Sequence, residues 1–152
     1  MNTVNENELF NTACCHYDLG QFYQAGKMYQ QILEQNSFHD KAIFMMGLLA
    51  YRIKNYSLAL YLFQHAIKIN PYPFAYHLNL GNVYQAMEMW SSSCSAYQRV
   101  LELNPSYSEA YNNLGIIYQK QGEPEQALTF YKRALELNPN QANTYYNLAT
   151  TL

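Results

Sequence analysis

Asn79, Asn113 and Asn147 stand at a constant interval of 34 residues along the chain. An amide side chain carries one acceptor oxygen and two donor hydrogens, so it can pair with both the C=O and the N–H of a peptide group. A regularly spaced row of such groups can hold an extended chain by its backbone and leave sequence selection to neighbouring pockets. The same asparagines can equally cap or bridge neighbouring helices, and their spacing does not separate the two uses.

Other residue types capable of chemistry are present but not arranged for it. The four histidines, His16, His39, His65 and His77, show no His-x-x-x-His spacing. His16 and His77 fall on core-facing helical positions in place of aromatics, whereas His39 and His65 are expected near the surface. Cys14-Cys15 lacks the Cys-x-x-Cys spacing of a zinc or redox site. With Cys94 the thiols number three, an odd count that suits a reducing, cytoplasmic setting rather than a disulfide framework. The carboxylates of Glu102, Glu109, Glu123 and Glu136 are scattered over helix surfaces and turns. Neither a Gly-rich phosphate loop nor Gly-x-Ser-x-Gly occurs. These residues predict no catalytic constellation, no metal site and no cofactor.

Composition narrows the partners. Hydrophobic residues make up 49% of the 152, ample for a core, while charged residues are 13% and the net charge is −2. Without a basic excess to hold phosphate, nucleic acid is not expected as a partner. No apolar run approaches the ~18 residues that a membrane span requires. Residues 1–8 contain neither a basic n-region nor an apolar h-region, so no secretory signal is expected there.

The elements that must position the asparagines repeat with them. Gly47, Gly81 and Gly115 keep the 34-residue interval, as do Pro71, Pro105 and Pro139. A fixed period of this size implies stacked units, each too small to bury a core alone. The units span residues 6–39, 40–73, 74–107 and 108–141, after a tail at 1–5. A fifth opens at 142 and stops at 152 after one helix. In the fourth unit Tyr111, Leu114, Gly115 and Tyr118 form one helical stripe, and Ala127, Tyr131, Ala134 and Leu135 a second. Gly122-Glu123-Pro124 separates them, with Pro124 suited to a first helical turn. The expected helices are 7–19, 23–36, 41–53, 57–70, 75–87, 91–104, 109–121, 125–138 and 142–152.

Two rows of small residues, Ala13, Gly47, Gly81, Gly115, Ala149 and Ala25, Ala59, Ser93, Ala127, mark where helices approach closely. Large rings at Tyr29, Phe63, Tyr97 and Tyr131 are expected opposite them, so that layers interdigitate.

This pattern resembles the tetratricopeptide repeat, whose unit carries Leu-Gly, Tyr, Ala, an aromatic, Ala and Pro at fixed offsets. The fourth unit matches at Leu114, Gly115, Tyr118, Ala127, Tyr131, Ala134 and Pro139, the third departs at His77, Ser93 and Val100, and the first is weakest. The resemblance implies an all-α, right-handed superhelical solenoid of antiparallel helix pairs, its first helices lining a concave groove. It assigns Phe10, Asn11, Tyr17, Phe44, Leu48 and Tyr51 to an apolar, aromatic half of the groove. Asn79, Asn82, Asn112, Asn113 and Asn147 fall in an amide-rich half. A protein or extended peptide is the implied partner. A clamp for a terminal carboxylate is not, because Arg52 and Lys120 do not sit beside the required asparagines.

Asn79-Leu80-Gly81-Asn82 and Asn112-Asn113-Leu114-Gly115 also resemble, more narrowly, the N-terminal repeats of bacterial O-linked N-acetylglucosamine transferase-like proteins. That likeness implies a recruitment module for a catalytic domain lying beyond these residues. Self-assembly through the edges of the stack is the alternative. The single helix of the fifth unit predicts a segment of a longer chain, able to pair with another copy through Tyr145, Leu148 and Leu152.

Overall fold

A computed structural model describes residues 5–152. The chain divides into two compact units, one up to Pro71 and one from Tyr72. The first holds α1 (Glu6–Asp18), α2 (Phe22–Gln35), α3 (Asp40–Arg52) and α4 (Tyr56–Ile69). The second holds α5 (Phe74–Ala86), α6 (Trp90–Leu103), α7 (Ser108–Lys120), α8 (Pro124–Leu137) and α9 (Ala142–Thr151). No strand occurs among the described residues. The expected tail falls mostly outside them, with only Asn5 described, as the residue capping α1.

Eight of the helices begin and end one residue before the expected limits. The reason is visible at the second helix of each repeat. Asn36, Asn70, Asn104 and Asn138 have φ of −140°, −138°, −143° and −142°, so each is an extended cap and not a last helical residue. Proline follows the last three and forces that geometry.

The first helices stop by one device, used four times. A residue in left-handed geometry follows the cap: Gly20 at φ 76°, Lys54 at 60°, Glu88 at 57° and Gly122 at 78°. In the first repeat Gly20 N donates to Tyr17 O and Gln21 N to His16 O, at 3.0 and 2.8 Å. The same pair of bonds recurs from Lys54 and Asn55, from Glu88 and Met89, and from Gly122 and Glu123. This Schellman closure satisfies carbonyls that the helix end would otherwise orphan. It turns the chain back sharply enough for the second helix to pack on the first.

Packing within each pair follows the small-against-large rule. A Cβ placed on Gly47 would lie 2.6 Å from Cε1 of Phe63, and one on Gly81 would lie 2.6 Å from Cε1 of Tyr97. Gly115 meets Tyr131 in the same way. Tyr29, Phe63, Tyr97 and Tyr131 are all fully buried. Ser93, in the row of small residues, donates to the carbonyl of Gly81 at 2.9 Å. That bond satisfies a hydroxyl sealed in the core. The first unit gathers its core around Leu9, Ala13, Tyr29 and Ile32, the second around Leu78, Tyr97, Val100 and Leu114.

Candidate functional site

The first helices of the two units differ in chemistry. In the first unit Phe10 is half-buried between the rings of Tyr29 and His39, at centroid distances of 5.9 and 5.2 Å. Asn11, one residue on, is exposed. Tyr17 meets Phe22 edge-on at 5.4 Å, and Phe44 lies against Phe63 at 5.4 Å. Leu48 is half-buried, and Tyr51 packs against Tyr56 at 5.6 Å. Burial first, and the Tyr56 phenol second, raise the Tyr51 pKa. Each ring of this wall packs on a ring outside it: Phe10 on Tyr29 and His39, Tyr17 on Phe22, Phe44 on Phe63 and Tyr51 on Tyr56.

His39 departs from the expected surface position. Only 11% of its side chain is exposed. Its Nδ1 accepts from Ala42 N at 3.0 Å, capping α3, while Nε2 lies 3.6 Å from Glu6. The sequence signal was its place just before a helix that opens on Asp40. His77 is buried as expected, and His16 is half-buried with a hydrogen bond to Gln21. Among the described residues no group of three or more His, Cys, Asp or Glu could hold a metal ion. Cys14, Cys15 and Cys94 are free thiols.

In the second unit the asparagines do not behave as one row. Asn79 turns its amide back to Ala75 O of its own helix at 2.8 Å. Asn82 accepts from the Tyr97 hydroxyl at 2.7 Å. Asn112 is a bridge, its Oδ1 accepting from both Thr144 Oγ1 and Asn147 Nδ2 at 3.1 Å and thereby tying α7 to α9. Thr144, only 1% exposed, is a partner that sequence reasoning missed. Its position two residues into α9 matches Ala110 two residues into α7, a core position. A hydroxyl there needs an acceptor, and Asn112 Oδ1 and Gln141 Oε1 both stand 3.1 Å away.

Between α7 and α9 lies a cleft of about 590 Å³ lined by Glu109, Asn112, Asn113, Ile116, Asn143 and Asn147, among others. Asn113 receives only a long contact, 3.4 Å, from Asn112 Nδ2, so its own amide hydrogens are available to the cleft. Asn143 is exposed at the rim. Asn147 gives a hydrogen to Asn112 and keeps its oxygen for the cleft. The cleft therefore presents both donors and acceptors of amide type, with Ile116 as an apolar wall and Glu109 as a carboxylate. The Tyr107 hydroxyl donates to Glu109 at 2.9 Å. Burial, and then that carboxylate, push the Tyr107 pKa up to about 12.

The comparisons agree with the repeat fold. Family models described as tetratricopeptide repeat match residues 10–72, 75–107 and 108–141, and one described as TPR repeat matches 93–122. No curated protein matches the chain. Among solved structures, a crystal structure of MamA is similar at a TM-score of 0.83 and 22% identity, covering 93% of this chain and 83% of that one. YrrB, described as a TPR protein with an unusual peptide-binding site, gives 0.84 at 23% identity over 99% of this chain and 77% of its own. The APC/C hetero-tetramer Cut9–Hcn1 gives 0.90 at 20% identity over 97% of this chain and 30% of the matched chain. At such identities the likeness is one of fold. The narrower likeness to transferase repeats is not borne out, since these matches describe repeat proteins and bring no glycosyltransferase.

Proposed function

The chain belongs to the tetratricopeptide repeat family, an interaction module, and from that premise we propose that it captures an extended segment of a partner protein along its first helices. The observation that carries this reading is the α7–α9 cleft, where the amide hydrogens of Asn113, the amide of Asn143 and the oxygen of Asn147 remain beside the bonds that Asn112 makes. A peptide backbone presents alternating donors and acceptors, the pattern such amides match. Asn112 then acts as a strut that fixes α9, and the working contacts move to its neighbours. The aromatic wall of Phe10, Phe44, Leu48 and Tyr51 would serve apolar side chains, and Asn11 and Tyr17 would border it. Asn79 would contribute its amide oxygen and Asn82 its amide hydrogens, the groups their own bonds leave. YrrB, with its peptide-binding site, lends this reading support by fold alone.

Random decapeptides displayed on phage provide the test. Peptides enriched on the whole chain should lose affinity at least about tenfold, roughly 1.4 kcal/mol, when Asn113 and Asn143 are both alanine and helicity is unchanged. Retained affinity would remove the cleft from the mechanism. The three free thiols fit a cytoplasmic setting. Recruitment of a partner to a catalytic domain elsewhere in a longer chain, a glycosyltransferase included, would use the same cleft.

Self-assembly is the second reading, favoured by the exposure of Tyr145, Tyr146 and Leu152 at 51, 71 and 89%. Sedimentation of the chain beside a Tyr145→Ser, Leu152→Ser variant decides it. Association that the variant abolishes supports pairing through α9, and a monomer at all concentrations ends it.

A further inference from the structure

The first unit also has a hollow lined by none of the residues assigned to the groove. It lies where the start of α2, the end of α3 and the start of α4 meet, a cleft of about 520 Å³. Phe22, Met46, Leu49, Ile53 and Leu58 line it, and Arg52 is its cation. Ile53 is 74% exposed, Tyr23 71% and Leu58 42%. Solvent-facing apolar side chains are ordinary when scattered, but here they converge on one hollow.

The repeat does not demand apolar residues at these positions. Two periods along the chain, Gln121 stands where Ile53 does and Gln126 where Leu58 does, and three periods along, Glu125 stands where Tyr23 does, all of them exposed. The fourth repeat closes its helix pair with that polar edge intact. The apolar character of the first unit's edge is therefore additional to what folding requires.

Charge indicates the occupant. The Arg52 guanidinium lies 4.1 Å from the centroid of the Phe22 ring, and Lys27 Nζ lies 4.7 Å from that of Tyr23. A guanidinium stacked by its face leaves its N–H edge free for a carboxylate. The unit's own carboxylates are elsewhere among the described residues. Glu6 bonds Asn36, Asp40 bonds Asn70 and Glu34 bonds Gln30. Glu8 and Asp18 are on α1, and no carboxylate lines the cleft. The geometry points to a docking surface on this edge for an acidic amphipathic segment of a partner protein, its bulky apolar side chains in the cleft and a carboxylate on Arg52.

The test uses the whole chain and two fluorescein-labelled twelve-residue probes, one with Leu and Phe at helical spacing and Glu elsewhere, the other with Lys replacing each Glu. Anisotropy should show the acidic probe binding at least about tenfold more tightly than the basic one. Arg52→Glu, and separately Ile53→Ser with Tyr23→Ser, should each weaken the acidic probe about tenfold. All of these side chains are exposed, so circular dichroism should be unchanged. Asn113→Ala with Asn143→Ala should leave this binding intact, which separates the edge from the α7–α9 cleft. Equal binding of both probes, insensitivity to Arg52→Glu, or loss of binding only in the asparagine variant would overturn the proposal. So would sedimentation showing a dimer that Ile53→Ser dissolves, because the occupant would then be a second copy.

Discussion

The hydroxyl of Tyr97, whose ring is fully buried in the second helix of its repeat, reaches through to Oδ1 of Asn82 at 2.7 Å. It also stands 2.8 Å from Oε1 of Gln85. One hydroxyl hydrogen serves one acceptor well, and turning the Gln85 amide so that nitrogen faces the phenol satisfies all three groups. The same through-layer bond joins Tyr131 to Gln119 at 3.0 Å and Tyr29 to Cys14 Sγ at 3.5 Å. In the second repeat the ring is Phe63, and the first helix there presents Phe44 and Leu48. A tyrosine below thus goes with a polar residue above, and a phenylalanine with an apolar wall. Tyr97→Phe should keep the fold, as Phe63 does, and lower stability by about 1 kcal/mol through the lost hydrogen bond. Urea unfolding monitored by circular dichroism measures it, and a loss above roughly 3 kcal/mol would mean that the hydroxyl holds the layer together.

Two glycines with the same residue type should respond in opposite directions. A Cβ on Gly81 would sit 2.6 and 2.8 Å from ring atoms of Tyr97, and that ring is sealed on all sides. Gly81→Ala should therefore destabilise by about 1–3 kcal/mol as the two helices are pushed apart. Gly26, inside α2, would meet only Leu49 Cδ1 at 3.4 Å, an ordinary contact. Gly26→Ala should stabilise by roughly 0.5–1 kcal/mol, because alanine loses less backbone entropy in a helix. Paired thermal melts read both signs, and a shared direction would mean that the close approach at Gly81 is not limiting.

The period made the pairing of Gly81 with Tyr97 legible, because a strict repeat places each small residue against a large one in every layer. It also located the helices to within one residue. It could not assign the asparagines, since Asn79, Asn82 and Asn112, at three different positions of the repeat, satisfy themselves differently. Asn79 bonds its own helix, Asn82 a tyrosine below and Asn112 the next repeat. The choices of Asn82 and Asn112 depend on neighbours about a half-period and a full period away. Thr144 and His39 were missed for the same reason, each being read by residue type when its partner decided its place.

Left-handed turns give the next expectation. Lys54 and Glu88 hold φ of 60° and 57°, where a side chain is disfavoured, while Gly20 and Gly122 occupy the matching position in the other repeats. Left-handed geometry costs a non-glycine residue about 1–2 kcal/mol, offset in part by the greater freedom of glycine when unfolded. Lys54→Gly and Glu88→Gly should each stabilise by up to about 1 kcal/mol, and the two should add, because the turns lie in separate units. Chemical denaturation of the single and double variants provides the measurement. Destabilisation in either would show that the side chain, and not the backbone, holds that turn.

Alkali should unfold the chain through its buried phenols. Burial pushes the Tyr131 pKa up to about 12 from 10.0, and it raises Tyr29 further in the same direction, with the Cys14 bond adding to it. A phenol with a raised folded-state pKa binds its proton more tightly folded than unfolded. Its contribution to stability is therefore fully present below pH 10 and is lost as pH climbs through 10 toward 12. Absorbance at 295 nm should rise in two stages, first from exposed phenols, then cooperatively with the loss of helical circular dichroism as the buried ones ionise. Tyr131→Phe should move the second stage to higher pH, because it removes one group whose ionisation favours the open chain. A single smooth titration with helicity retained throughout would mean that the rings of Tyr29 and Tyr131 are less enclosed than their packing implies.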